Sequence, residues 1–366
     1  MTTYLFDVRF ARPSALDGVG RHLWSTAAAL PAALHKNESL TLLVHVDDVV
    51  AWSAQVPGAR VIGSELPIAS FAQQLHWPAL VASIAPDLVH YPQYDLPAVP
   101  TGIAAVATVY DLTPVDEPRY FGSGAGWRRV AAAALLAGSC ARAARVVTLS
   151  HASARAIAAH APQCAGRVRV TTPGPSHLAL TTSTPVPVNS DRFIYVGNHR
   201  PHKRVEVLVR AFAEVRRRRP QAELLLVGRS DARFPEVPRL LRGPLGEGVR
   251  QVESASDADV AALLSSSAAL VFASVGEGYG FPVVEALGLG IPAIVADAGS
   301  LPEVLDGAGV VVAAADERAW AEAMLRLCTD AALRASLCQR AAQVVSGLDW
   351  QATARQTVGV WREALL

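Results

Sequence analysis

Short apolar runs of strand length alternate with helical stretches along the whole chain, in two series, and this alternation constrains the fold more than any other feature. Strands and helices that alternate in sequence pack as a parallel sheet with helices on both faces. The first series comprises residues 4–10, 40–46, 87–91, 104–110, 145–149 and 168–172; the second comprises 193–197, 223–228, 268–273, 292–296 and 310–313. Between them lies 181–190, TTSTPVPVNS, whose proline, serine and threonine content and lack of periodicity mark a linker. The expected organisation is a first α/β domain over 1–184, a linker at 185–190, a second α/β domain over 191–349 and a final helical stretch over 350–366.

Composition agrees and removes other classes. The chain has 366 residues, 51% hydrophobic and 18% charged, enough for two cores. A net charge of +1 gives no electrostatic case for nucleic acid. Cys140, Cys164, Cys328 and Cys338 form no CxxC pair and no metal-ligand spacing, which fits a reducing compartment without structural zinc. The first strand reaches Asp7 at once, so no signal peptide is expected, and no apolar run approaches the roughly 18 residues of a membrane span. A cytoplasmic protein is the expectation. The longest apolar candidate, 130–140, is bounded by Arg128, Arg129 and Arg142; it reads most simply as a buried helix, with attachment to the inner face of a membrane as the alternative.

The chemistry concentrates in Glu277-Gly-Tyr-Gly-Phe-Pro-Val-Val-Glu285, which follows the buried strand 268–273. Its glycines allow a tight turn, Pro282 suits the first turn of a helix, and Gly290 before Ile291-Pro292 stops that helix after about two turns. A helix N-terminus carries unpaired N–H groups and partial positive charge, so it receives a diphosphate readily. Glu285, read as lying on the first turn, and Glu277 just before it can then accept sugar hydroxyls, with bonds to a charged group contributing about 1.5–3 kcal/mol each. Alone, either acid could equally be a dipole partner or a surface loop residue.

Together, at this spacing, the acids resemble the glutamate, seven residues, glutamate signature of retaining family-4 glycosyltransferases. The resemblance implies the GT-B fold: two facing Rossmann-like domains with parallel sheets, the first on the acceptor side, the second binding the nucleotide sugar, and a C-terminal helix crossing back. It also extends to other segments in family order. Tyr195-Val-Gly-Asn-His-Arg-Pro-His-Lys-Arg204 is a strand ending in glycine before an amphipathic helix with Val205, Leu208, Phe212 and Val215 on one face. Arg200 and Lys203 fall in that turn, and Lys203 is one of only two lysines, with Lys36, among 33 basic residues. Relatives with arginine directly after the glycine have it where this chain has Asn198. Asp17-Gly-Val-Gly-Arg-His22 resembles the family's N-terminal glycine loop, placing Gly20 near the donor, and it is not a full dinucleotide fingerprint. Thr108-Val-Tyr-Asp111 matches a segment where relatives have His-Asp; here Tyr110 takes the histidine position and Asp111 remains. Tyrosine titrates near 10 and is a poor base at neutral pH; the resemblance implies that the departing phosphate assists the acceptor hydroxyl, so that a protein base is not required. His90, at another strand end, reads as structural.

The resemblance assigns catalytic roles to Glu277, Lys203, Arg200, Asp111 and Tyr110. Donor binding falls to Glu285, Gly20, Gly278, Tyr279, Gly280, Phe281, Pro282, Gly197, Asn198, Gly228, Val252 and Glu253. No cofactor and no metal is expected: Asp257 and Asp259 spell a DxD, but Ser256 with Asp259 makes a helix-start capping box. The expected function is retaining transfer of a hexose, mannose first, from a nucleotide diphosphate sugar such as GDP-mannose to a saccharide or lipid-linked saccharide acceptor in polysaccharide assembly, with peripheral membrane contact open. A non-catalytic scaffold of the same fold, and a hydrolase using Glu277 and Glu285 as an acid and nucleophile pair, are the alternatives.

Overall fold

The structure is a computed structural model of the chain, and it describes residues 1–122, 126–180 and 188–366. The chain divides into two compact units, each built on its own parallel sheet.

The first unit comprises Met1–Val115, Trp127–Gly174 and Leu348–Leu366. Its strands are β1 (Thr2–Asp7), β2 (Glu38–His45), β3 (Arg60–Ser64), β4 (Leu88–Tyr91), β5 (Ala104–Thr108), β6 (Arg145–Thr148) and β7 (Val168–Val170). They lie in the order β3-β2-β1-β4-β5-β6-β7. Successive side chains of a strand point to opposite faces, so Phe6 enters one core with Leu42, Trp52, Leu88 and Trp361, while Leu5 enters the other with Leu43, Trp77, Val89 and Leu136. The helix Trp350–Ala364 completes the first core. Asp349 caps it by accepting from the Gln351 and Ala352 amides, and Ala354, Val358 and Trp361 are its buried stripe. Near its end Arg362 forks onto the Glu38 carboxylate at 2.8 and 2.7 Å.

The second unit comprises Asp116–Gly126 and Pro175–Gly347. Its strands are β8 (Asn189–Val196), β9 (Glu223–Val227), β10 (Val249–Val252), β11 (Ser267–Phe272), β12 (Ala293–Ala296) and β13 (Gly309–Val312), in the order β10-β9-β8-β11-β12-β13. Both sheet faces are covered, which is why β11 is buried at all six residues and reads as a continuous apolar run. The helix Val205–Arg218 buries Val205, Leu208, Phe212 and Val215, the face its periodicity predicts.

Three details depart from the sequence expectation. The edge strands β3 and β10 are additional. The helix Gly126–Arg142 is buried on one face only: Ala132, Leu136, Ser139 and Cys140 point inward, whereas Trp127 and Val130 are exposed. Residues 116–126, early in the chain, belong to the second unit. Of the expected linker, 185–187 lie outside the described residues, and Asn189 and Ser190 already open β8.

In each sheet the strand order reverses once, between β1 and β4 and between β8 and β11. Ligands of open α/β sheets bind at the carboxyl ends of the strands flanking such a reversal.

Candidate functional site

The reversal in the second sheet brings together the segment after β8 and the segment after β11. After β8 the chain reaches Gly197 at φ +146, and a Cβ on the neighbouring Gly228 at the end of β9 would lie 2.0 Å from the Gly197 carbonyl oxygen. Gly228 therefore needs glycine because two backbones meet there, and Gly197 because of its positive φ and because a Cβ would press on the Tyr195 hydroxyl at 2.9 Å. The Tyr195 hydroxyl donates to the Asn198 carbonyl at 2.7 Å, and the Gly228 amide to the Val252 carbonyl at 2.9 Å, so β8, β9 and β10 end in one fixed rim. The Asn198 and Glu253 side chains are exposed on it.

Residues Pro201–Lys203 form a single 3-10 turn, and Arg204 at φ 52 starts the following helix. The turn is tied to the other segment: the His202 carbonyl accepts from the Val275 amide at 2.8 Å and from the Ser274 hydroxyl at 3.2 Å. That tie sets Lys203 against Glu277, and the Lys203 ammonium donates to a Glu277 carboxylate oxygen. The pair is mostly covered but keeps an opening to solvent, with 14% and 13% of the two side chains exposed. The ammonium also lies 5.4 Å from the centre of the Phe272 ring. Behind Glu277, the buried Ser300 hydroxyl donates to its carbonyl at 3.1 Å, and Gly299 at φ +56 lets that approach occur.

The glycine run ends as a helix start. Gly280, at φ +95, is the N-cap of the helix Phe281–Gly288, with Pro282 in the first turn. Phe281 stands edge-on to Tyr279 at 5.4 Å, and Tyr279, like Gly278, is buried. Burial, aided by Glu303, pushes the Tyr279 hydroxyl well above its ordinary value, so it stays protonated. Glu285 corrects the sequence expectation. It occupies the second turn, because the helix begins at Phe281, and it is buried at 8% exposure.

Arg200 sits on the same turn. It donates to the Tyr120 hydroxyl at 3.4 Å, its guanidinium lies 5.6 Å from the Tyr120 ring centre, and Asp231 is 3.7 Å away. The Tyr120 ring also leans on His202 at 5.9 Å. Tyr120 escaped sequence reasoning because it lies 80 positions from Arg200 in a segment without periodicity. His199 and His202 are also new members. Burial holds the His199 ring neutral, down to about 4; burial followed by the Lys203 and Arg200 charges brings His202 down to about 3. His199 Nδ1 meets the Ser230 hydroxyl at 3.2 Å, but His199 Nε2 and His202 Nδ1 are buried without a hydrogen-bond partner among the described residues. Buried polar atoms are rarely left so, and ligand sites are where such exceptions occur.

The remaining candidates lie in the first unit. Gly18 and Gly20 are the first turn of the helix Gly18–Ala29 and not a loop, and the Gly20 amide is taken by the Asp17 carboxylate at 2.8 Å. Tyr110 is buried with its hydroxyl 3.0 Å from His22 Nδ1. Burial raises the Tyr110 hydroxyl far above its ordinary value and lowers His22 to about 3, so both are neutral. Asp111 accepts from the Thr113 amide at 2.8 Å. His22, one helical turn from Gly18, was legible only as part of the glycine motif. His90 is structural as expected: it accepts from Trp361 Nε1 at 3.0 Å, meets the Thr108 hydroxyl at 2.7 Å and stacks on Phe6. Asp259 closes the expected capping box with Ser256, and Asp257 meets His177 at 2.9 Å. Among the described residues no group of three or more His, Cys, Asp or Glu is placed to hold a metal.

Comparison with known proteins gives a consistent answer. The family model Glycosyltransferase Family 4 matches residues 16–175, and Glycosyl transferases group 1 matches 190–330. A D-inositol 3-phosphate glycosyltransferase of Kineococcus radiotolerans is 30% identical over 212 residues, 53% of this chain and 49% of that protein. An O-antigen chain mannosyltransferase B of Escherichia coli is 27% identical over 174 residues, 46% of this chain and 45% of that protein. The chain spans about half the length of these curated relatives. Among solved structures, a sucrose-phosphate synthase from Thermosynechococcus elongatus superposes with a TM-score of 0.77 at 21% identity, over 99% of this chain and 98% of that one.

Proposed function

Because the chain belongs to the family-4 glycosyltransferases and has their GT-B fold of two Rossmann-like domains, we propose that it transfers a hexose from a nucleotide diphosphate sugar to an acceptor hydroxyl with retention at the anomeric carbon. The observation that carries this reading is the Lys203–Glu277 pair beside the N-terminus of the helix Phe281–Gly288, at the strand-order reversal of the second sheet. Neighbouring cationic and anionic groups suit the two ends of such a donor. Lys203, Arg200 and the helix amides offset charge building on the leaving diphosphate, and Glu277 accepts hydroxyl hydrogen bonds from the hexose. Glu285 holds the ribose, and Gly197, Gly228 and Val252 line the base pocket.

In the reaction the bond between the anomeric carbon and the diphosphate oxygen breaks, and a bond to the acceptor oxygen forms on the same face. The acceptor proton passes to the departing phosphate, which removes the need for a basic residue where this chain has Tyr110. Positive charge from Lys203 and Arg200 supports a metal-independent route with no cofactor. Mannose carried on GDP is the first choice of donor, supported by the likeness to a mannosyltransferase, and a saccharide or lipid-linked saccharide is the proposed acceptor. A two-carboxylate hydrolase is less well supported, since Glu277 is engaged by Lys203 and Glu285 is buried in the second turn.

Titration calorimetry of the full chain with GDP, UDP and ADP tests the reading. One nucleotide, GDP first, is expected to bind, and Glu285→Gln is expected to weaken that binding while far-UV circular dichroism stays unchanged. Absence of binding by all three nucleotides would leave the non-catalytic scaffold as the better description.

A further inference from the structure

Residues 117–122 lie in the second unit as two consecutive turns, and they set one aromatic ring beside the candidate donor site. The Tyr120 amide donates to the Glu117 carbonyl at 3.1 Å and the Gly122 amide to the Arg119 carbonyl at 2.9 Å, with Gly122 at φ +89. Those bonds fix the backbone on both sides of Tyr120, whose half-buried side chain leans on the His202 ring at 5.9 Å. The ring is therefore a fixed wall next to the turn that carries Arg200.

Arg200 needs such a wall. Its backbone is set, because its carbonyl accepts from the Lys203 amide at 2.9 Å, but its long side chain has several free torsions and 35% of it is exposed. The neighbouring acid competes for it: Asp231 lies 3.7 Å from Arg200 Nε, just beyond hydrogen-bond range. Arg233 explains why Asp231 takes no more. Its guanidinium donates to the two Asp231 oxygens at 2.9 and 2.5 Å and its amide donates to one of them at 3.1 Å, so three donors already occupy that carboxylate. Tyr120 supplies the other restraint on Arg200. The guanidinium lies 5.6 Å from the ring centre, within cation–π range, and donates to the hydroxyl at 3.4 Å. A guanidinium has five N–H donors, so most of them stay available to an anion.

We infer that Tyr120 is a positioning residue for Arg200: its ring and hydroxyl keep the guanidinium beside the Lys203 turn and off Asp231, so that the charge is already in place when a diphosphate binds. The inference rests on the proposal that Arg200 meets the donor diphosphate, and it assigns the fixed geometry of that arginine to a residue 80 positions away. Holding a long side chain in advance spares the ordering that binding would otherwise require. Without the ring, Arg200 is free to close on Asp231, and the donor must first displace that carboxylate.

Titration calorimetry of the full chain, with the nucleoside diphosphate that wild type binds, GDP first, and with its monophosphate, tests it. Tyr120→Leu keeps apolar bulk and removes both the ring and the hydroxyl. It is expected to weaken the diphosphate about two- to tenfold, the worth of one immobilised side chain, and the monophosphate less. Tyr120→Phe keeps the ring and is expected to recover most of that loss. In Arg200→Ala, adding Tyr120→Leu is expected to change nothing further, since a residue that acts through Arg200 has no effect without it. Unchanged diphosphate affinity in Tyr120→Leu, an equal loss for the monophosphate, or a full additional loss in the Arg200→Ala background would each overturn the inference while leaving the proposed donor site intact. Wild-type protein that binds none of GDP, UDP and ADP would overturn both.

Discussion

The two sheets reverse strand order in the same way, yet their side chains treat the resulting crevice oppositely. At the end of β1 the crevice is filled from within. Asp7 and Arg9 pair at 2.6 Å with 0% and 1% of their side chains exposed, Trp77 Nε1 donates to Asp7 at 3.0 Å, and Arg9 donates to the Leu66 carbonyl at 2.8 Å. The chain continues through Gln73, Tyr91 and Asp95, each hydrogen-bonded to the next. At the end of β8 the ion pair is partly open, glycines line the rim, and two imidazole nitrogens are buried without partners among the described residues. Topology offers two crevices, and the side chains close one and leave the other more open.

If that contrast is right, breaking the closed crevice costs stability and breaking the open one costs chemistry. The largest effect is expected for Asp7→Ala, which strands the Arg9 charge in the core. Loss of one partner of a buried pair destabilises by about 3–5 kcal/mol, read as a lower urea midpoint. Replacing both charges, Asp7→Leu with Arg9→Met, is expected to recover most of that loss. A single variant as stable as wild type would show that the network is not closed after all.

Next in size is Lys203→Ala, on the opposite side of the comparison. Removing a cation aimed at developing charge lowers kcat by about 10²–10³, close to 3–4 kcal/mol of transition-state stabilisation. The melting temperature should fall by less than in Asp7→Ala, because Glu277 keeps 13% of its side chain in solvent and the turn is held by the Val275 amide and the Ser274 hydroxyl. An unchanged kcat with a large fall in melting temperature would make Lys203 another structural charge.

Legibility in the sequence followed the same division. Eleven strands among the described residues announced themselves as short apolar runs, the central ones because strands buried on both faces read as continuous apolar sequence, and the edge strands β7 and β13 because Val168, Val170 and the valines at 310–312 keep the pattern. The two that did not, β3 and β10, are edge strands carrying Arg60 and Gly63 or Arg250 and Gln251, so one side of each reads as loop. The open crevice was legible through local punctuation: Gly197, Lys203, Glu277, Gly280 and Pro282 all fall where a strand becomes a helix. Glu285 was misplaced by one turn because the sequence does not reveal that Gly280 takes the cap. Tyr120, His199 and the Asp7–Arg9 network went unread, since their partners are distant in sequence or belong to packing that no short pattern encodes.

Trp361→Phe sharpens the contrast at smaller size. It removes the indole N–H from His90 and leaves a buried ring nitrogen without its donor, which costs about 1–3 kcal/mol of stability. Since His90 sits in the closed unit's core, kcat should be unchanged in folded protein; a change in kcat without a change in stability would return His90 to the catalytic candidates.

The smallest effect is the pH dependence contributed by one carboxyl of the closed unit. Glu38 accepts from Arg362, from the His35 amide at 2.7 Å and from Tyr4 at 2.8 Å, and the Arg362 hydrogen bonds, foremost among these, draw its carboxyl from 4.5 down to about 2. A carboxyl depressed in the folded state stabilises fully above its unfolded value, and the contribution fades as pH falls from about 4.5 toward 2. Because Arg362 is about a third exposed, solvent screening leaves on the order of 1 kcal/mol. Other depressed carboxyls, such as Asp231 beside Arg233, titrate in the same window, so the informative quantity is the difference between wild type and Glu38→Gln. That difference in urea stability should be constant above pH 5 and shrink toward pH 2; a gap independent of pH would mean that the terminal helix is held by Trp361 packing alone and that the Arg362 clamp adds nothing.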